Sequence, residues 1–205
     1  MSFRYTRPDS LPPIVKNLLF INGLFFLATY FLFRENGLMQ LFGLWPINSE
    51  YFRPYQLFTH MFTHADFGHI LFNMFNLWMF GRVLESVWGP KKFLIFYLIC
   101  GIGAAVVHLA VQYLTGGFSY AVGASGAVMG VMVGFAYLFP NTELMLYFAI
   151  PVKAKWIILA LIAFDLFAGF GRTGTGVAHW AHIGGAAVGF LMVYIWNKTN
   201  KKTFY

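Results

Sequence analysis

Apolar residues fall along this chain in long runs broken by short segments that hold Pro, Gly and charge. Six runs approach the roughly 20 residues that a helix needs to cross hydrocarbon: about 14–33, 67–84, 92–114, 124–139, 153–169 and 178–196. This predicts an all-α fold, a polytopic membrane helix bundle of six transmembrane helices in a single domain over 1–205, with short tails at about 1–13 and 197–205. The first run follows Arg4 and Arg7, lacks a small-residue cleavage site and exceeds a signal-peptide core in length, so it reads as a retained helix. The fourth is short. It starts in Gly123-Ala124-Ser125-Gly126 and stops before Pro140-Asn141, which sets Ser125 below the lipid headgroups.

Composition agrees that lipid is the main solvent: 59% of the 205 residues are hydrophobic and 10% charged, against roughly a quarter charged in soluble domains. The net charge of +7 is spread over short loops and both tails with no basic helix or run, so it encodes topology and not nucleic-acid binding. Arg4, Arg7, Lys16, Arg82, Lys91, Lys92, Lys153, Lys155, Lys198, Lys201 and Lys202 fall on one side of the six spans, and only Arg34, Arg53 and Arg172 on the other. Short cytoplasmic loops are the ones enriched in Lys and Arg. Both termini are therefore predicted cytoplasmic, in a multi-pass protein of a bacterial inner (plasma) membrane. The loop of about 34–66 is then extracytoplasmic, and its Phe42, Trp45, Tyr51 and Phe52 suit the membrane interface. Cys100 stands alone inside an apolar run, which rules out an intrachain disulfide and suits core packing.

With this topology, spans two, four and six run in the same direction, so their first turns share one depth near the outer face. Those turns carry His69 and Asn73, Ser125, and His179 with His182. Polar side chains inside a membrane are costly and mark functional sites, and Ser with His is the minimum pair for nucleophilic acyl transfer. Gly126, Gly130 and Gly134 on the fourth span, facing Gly185 and Gly189 on the sixth, give the four-residue spacing that lets helix backbones approach closely. That packing holds Ser125 within reach of His182. The Ser125 N–H, unpaired at a helix start and at the positive dipole end, is a natural oxyanion donor. His69 and Asn73 lie four residues apart on one helical face and supply further donors.

Each feature also has a plainer account. Serine beside glycine at a helix start is commonly a cap, and glycine spacing in a membrane helix is commonly packing alone. His60, His64, His108 and His179 read as interfacial or packing residues. Asp165 reads as reaching toward headgroups, and Glu85 as pairing with Arg82 three residues earlier; neither is assigned to catalysis.

Four ordered segments carry a resemblance: His69-Ile70-Leu71-Phe72-Asn73, Gly81-Arg82-Val83-Leu84-Glu85, Gly123-Ala124-Ser125-Gly126, and Ala181-His182-Ile183-Gly184-Gly185 with Gly189. Together they resemble the rhomboid family of intramembrane serine proteases in its six-helix prokaryotic form. The resemblance implies a Ser–His dyad without a third acid, with Ser125 as nucleophile and His182 as general base and then acid. It also implies an oxyanion site from the Ser125 N–H, His69 and Asn73, with Gly123, Gly126, Gly185 and Gly189 as close-packed structure around it. The fifth span and the loop of about 34–66 would bear on substrate entry and membrane placement. Two departures stand out: Met129 occupies a position where the family often has an aromatic residue packed on the catalytic imidazole, and the first loop lacks a Trp-Arg pair, with only Trp45 and Arg53 nearby.

The implied activity is hydrolysis of peptide bonds in or next to transmembrane helices of membrane-protein substrates, from a site open to the extracytoplasmic side. Substrate segments with Gly, Pro or polar residues, which unwind readily, are favoured. No metal or organic cofactor is required, since nucleophile, base and oxyanion donors are all protein groups. Two rivals are a non-proteolytic rhomboid-like binder of membrane proteins, and a His-based metal transporter drawing on His60, His64, His69, His179 and His182. The second has few carboxylates to draw on, with Asp66 and Asp165 the nearby ones. Substrate identity and oligomeric state leave no mark in the sequence.

Overall fold

A computed structural model describes residues 11–32, 37–146, 150–171 and 178–199. Arg4, Arg7, Arg34, Arg172, Lys201 and Lys202, part of the topology argument, lie outside these described residues, as do most of both tails. The predicted spans all fall on helices. They are α1 (Pro13–Leu32), α4 (Phe67–Asn76) running through one π turn (Leu77–Gly81) into α5 (Arg82–Trp88), α6 (Pro90–Thr115), α7 (Ser125–Leu138), α8 (Ala154–Gly171) and α9 (His179–Thr199). The protein is a polytopic membrane helix bundle. By length and composition, Pro13–Phe31, Pro90–Thr115 and Ala154–Gly171 are each able to cross a bilayer, and Ser125–Leu138 is a shorter apolar helix.

Local chemistry sets the helix ends. Asp66 caps α4, its carboxylate accepting from His69 N at 2.8 Å, a bond of the kind worth about 1 kcal/mol. Gly89, at φ +79°, turns the chain between α5 and α6, and Pro90 opens α6 where its missing N–H costs nothing. Glu85 departs from its sequence reading. Its buried carboxylate accepts from Ile14 N at 2.9 Å and Val15 N at 2.7 Å, closing the start of α1, while the Arg82 guanidinium lies over the Trp78 ring at 4.7 Å.

α7 is the central helix, packed against α6 and α9. A Cβ on Gly126 would strike Ala104, one on Gly185 would strike the Gly126 carbonyl, and one on Gly189 would stand 2.8 Å from Gly130 Cα. The backbones of α7 and α9 are therefore in contact, as the glycine spacing predicts. Gly134 faces elsewhere, toward Phe96 of α6 and Leu84 of α5. Cys100 is buried and abuts Gly130, a packing role.

The first loop is folded. It contains α2 (Gly37–Phe42), α3 (Gln56–Thr59) and a 3-10 turn over His60–Phe62. Gln56, fully buried, donates to Leu41 O at 3.2 Å and Tyr51 O at 2.9 Å, and accepts from Trp45 N at 3.3 Å and Arg53 N at 3.2 Å. Trp45 stacks on Tyr120 with centroids 5.1 Å apart, and Leu44 pairs with Ala121 as an antiparallel bridge. These contacts hold the loop against the segment that precedes α7. Where the apolar pattern predicts only helices, a small antiparallel hairpin of β1 (Glu143–Leu146) and β2 (Ile150–Lys153) joins α7 to α8, in register Glu143↔Lys153 and Leu144↔Val152.

Candidate active site

Ser125 is the first residue of α7 and is held by the turn before it. Gly123 has φ +111°, a region that favours glycine. A Cβ there would lie 2.6 Å from His69 Nε2 and 3.8 Å from Asn73 Nδ2, so both side chains of α4 press on this turn. His60 O accepts from Gly123 N at 2.9 Å, and Ala124 N points at His64 Nε2 at 3.5 Å. His64 lies in the loop before α4, where burial pushes its imidazole down to about 3; it stays neutral and keeps a lone pair for such a contact.

His182, one turn into α9, places Nε2 2.8 Å from Ser125 Oγ. Its Nδ1 lies 3.1 Å from both carboxylate oxygens of Asp165 on α8. His179 Nδ1 lies 2.7 Å from Asp165 Oδ1. Asp165 is only 5% exposed. The reading of Asp165 as a residue reaching for headgroups is therefore corrected: it turns inward and bonds the imidazole that faces Ser125. His179 likewise is more than packing.

His69 accepts from Ala65 N at 3.4 Å through Nδ1, which leaves the proton on Nε2, the nitrogen beside Gly123. Asn73 is buried and donates to His69 O at 2.9 Å. Met129 is buried in the main core cluster one turn after Ser125. His60 bonds Gln56 O through Nδ1 at 2.9 Å, and His108 contacts Gln112 at 2.8 Å. Among the described residues, the donor atoms of Asp165, His179 and His182 lie within 4.8 Å of one another, a set a divalent cation can use. His60, His64 and His69 are not part of it. In the hydrogen-bonded arrangement both Nδ1 atoms already face the carboxylate, so a metal would have to displace their protons.

The sequence carried one unused signal for Asp165. It is an acid inside an apolar run, and an intramembrane ionisable residue signals function by default. Its partner, 17 residues later on the next helix, is visible only once α8 and α9 are packed.

The sequence model of the Rhomboid domain matches residues 51–199, a stretch that contains α3 to α9 and every residue named at this site. The chain belongs to the rhomboid family. This rhomboid is 32% identical over 186 residues to RHOMBOID-like protein 12, mitochondrial, of Arabidopsis thaliana, covering 84% of the chain and 54% of that protein. It is 31% identical over 160 residues to Rhomboid protease GlpG of Pectobacterium atrosepticum, covering 77% of the chain and 54% of that protein. It is 31% identical over 157 residues to Putative rhomboid protease YdcA of Bacillus subtilis, covering 75% and 71% respectively. The chain thus spans about half the length of the first two relatives. These similarities mark it as a multi-pass integral membrane protein related to proteases.

Proposed function

We propose that this rhomboid is an intramembrane serine endopeptidase that hydrolyses peptide bonds in or next to transmembrane helices of membrane-protein substrates. The observation that carries this reading is the 2.8 Å contact between Ser125 Oγ and His182 Nε2 at the start of a membrane helix. His182 Nε2 takes the serine proton as Oγ attacks the substrate carbonyl carbon, forming a tetrahedral oxyanion. The Ser125 N–H, His69 Nε2–H and the Asn73 amide are the donors proposed for that oxyanion. Collapse breaks the C–N bond, and the leaving amine takes the proton from Nε2. Water then attacks the acyl ester with His182 as base, releasing the acid and restoring Ser125. Every proton and bond in this cycle is handled by protein groups, substrate and water.

The proposed placement has six crossings, both termini cytoplasmic and the site open to the extracytoplasmic side. Supporting this, Lys92 and Lys198 at the predicted cytoplasmic end lie over the rings of Trp196 (4.5 Å) and Tyr194 (5.9 Å), the aromatic and basic pairing of a membrane interface. The relatives include proteins named as mitochondrial or chloroplastic as well as bacterial ones. Within that range, a bacterial inner membrane is the placement proposed. The domain is proposed to comprise the whole of 1–205.

The test is cleavage of a labelled transmembrane substrate in liposomes by wild type, Ser125→Ala and His182→Ala, with chelator in parallel. Cleavage by wild type alone, indifferent to chelator, is expected. Equal cleavage by all three contradicts the assignment. Loss on chelation points instead to the metal-based alternative, and inactivity on every helix-weak substrate tried points to a binding-only rhomboid.

A further inference from the structure

Asp165 stands between two imidazoles. Its Oδ1 is 2.7 Å from His179 Nδ1 and 3.1 Å from His182 Nδ1, and its Oδ2 is 3.1 Å from His182 Nδ1. An ionised carboxylate only accepts hydrogen bonds, so each neutral ring facing it carries its proton on Nδ1. That choice of tautomer leaves the His182 lone pair on Nε2, the atom 2.8 Å from Ser125 Oγ. The carboxylate's contact with His179, on the same helix as His182, fixes its rotation so that both oxygens stay near His182 Nδ1. Nδ1 and Nε2 lie on opposite sides of the ring, so the buried acid holds His182 by the edge away from Ser125.

We propose that Asp165 is a positioning residue for His182, so that the site works as a Ser125–His182–Asp165 chain and not as an unassisted pair. This rests on the reading of Ser125 and His182 given above. Asp165 acts through the imidazole at two points of the cycle. Before attack it holds the tautomer that accepts the serine proton. Once Nε2 has taken that proton, it stands beside the imidazolium and stabilises its charge without itself taking the proton. Because the acid is on α8 and the base on α9, the base is correctly set only while α8 is docked against α9 around Asp165.

The test uses the full chain in detergent or liposomes. Asp165→Asn keeps the shape but replaces one acceptor oxygen with an NH2 group, which must face one of the two Nδ1–H donors and favours the wrong tautomer. Asp165→Ala removes both acceptors. For each, kcat and KM are measured on a transmembrane substrate, alongside the rate at which a fluorophosphonate modifies Ser125 and the final fraction modified. The fraction counts folded sites; the rate reads the activation of the serine. The expected result is a fall in kcat of about 10- to 100-fold, with KM within about threefold and the modification rate falling in parallel. Wild-type kcat in both variants overturns the proposal. So does a reduced modified fraction whose remaining sites react at the wild-type rate, since that is the signature of a purely structural tie between α8 and α9. Ser125→Ala runs beside them. If it still cleaves, the reading of the nucleophile fails; if it is inert while both Asp165 variants are fully active, only the positioning role fails.

Discussion

The His60 carbonyl accepts a hydrogen bond from the Gly123 amide at 2.9 Å, and through it the first loop holds the turn that presents Ser125. This loop is therefore part of the site's scaffold, although no residue in it belongs to the proposed chemistry. Substituting Gln56, whose amide makes four bonds to loop backbone, leaves several of those groups unpaired. Gln56→Ala is expected to cost about 2–3 kcal/mol of stability and to lower kcat through misplacement of the turn. Thermal unfolding read with substrate cleavage checks this, and an unchanged Tm contradicts it.

The turn itself is more sensitive. At Gly123 a side chain meets both a backbone conformation that disfavours it and the His69 ring at 2.6 Å. Gly123→Ala is expected to lose at least about 100-fold in kcat/KM, with a smaller relative loss of folded protein. Gly23 of α1, where an added Cβ meets nothing within 4 Å, is the control. Gly23→Ala is expected to be neutral or stabilising by about 0.5–1 kcal/mol, read as a Tm at or above wild type.

Glu85 accounts for the start of α1. Its carboxylate is 2% exposed and accepts two backbone N–H bonds from a helix 70 and 71 positions earlier in the chain. Glu85→Gln keeps one acceptor oxygen and is expected to cost about 1–2 kcal/mol, and Glu85→Ala about 2–4 kcal/mol. The order Ala worse than Gln in denaturant or thermal unfolding is the diagnostic. Equal Tm values for the two would mean that the two bonds carry no stability.

The first loop also gives stability an acid dependence. Burial lowers the imidazole of His60 to about 4 and that of His64 to about 3, from an ordinary 6.5 in the unfolded chain. About one pH unit or more above 6.5 both states are neutral and the two groups add no dependence. Below that range the unfolded chain binds protons that the folded chain does not, so stability falls as pH drops from about 6.5 toward 4. His64→Gln is expected to flatten the fall of Tm over that window relative to its own value at pH 8. A slope as steep as that of wild type would show that His64 does not carry this dependence.

The helices were legible because long apolar runs leave the backbone one solution in lipid, and the α7–α9 contact because glycine at four-residue spacing removes the side chains that would hold two backbones apart. Gly126, Gly185 and Gly189 behave as that pattern predicts, whereas Gly134 faces α6, since a helix of glycines offers more than one close-packed side. The pairing of Ser125 with His182 followed from shared depth. Asp165 did not, because depth says nothing about which way a helix is rotated, and an acid near a helix end has a credible escape to headgroups. The role of Glu85 is hidden from the sequence for a related reason: Arg82 is a neighbour along its own helix, while the N–H groups of α1 become neighbours only in the packed bundle. The folded first loop and the β1–β2 hairpin depend on contacts such as Trp45 with Tyr120, which no local periodicity announces.

Activation of Ser125 by His182 is tested most directly by peptide mapping by mass spectrometry after treatment with a fluorophosphonate, on wild type and His182→Ala of equal folded content. A single covalent adduct on Ser125 is expected in wild type, formed in step with loss of cleavage, and it is expected to be nearly absent in His182→Ala. Loss of activity with Ser125 unmodified, or full modification without His182, would contradict that activation.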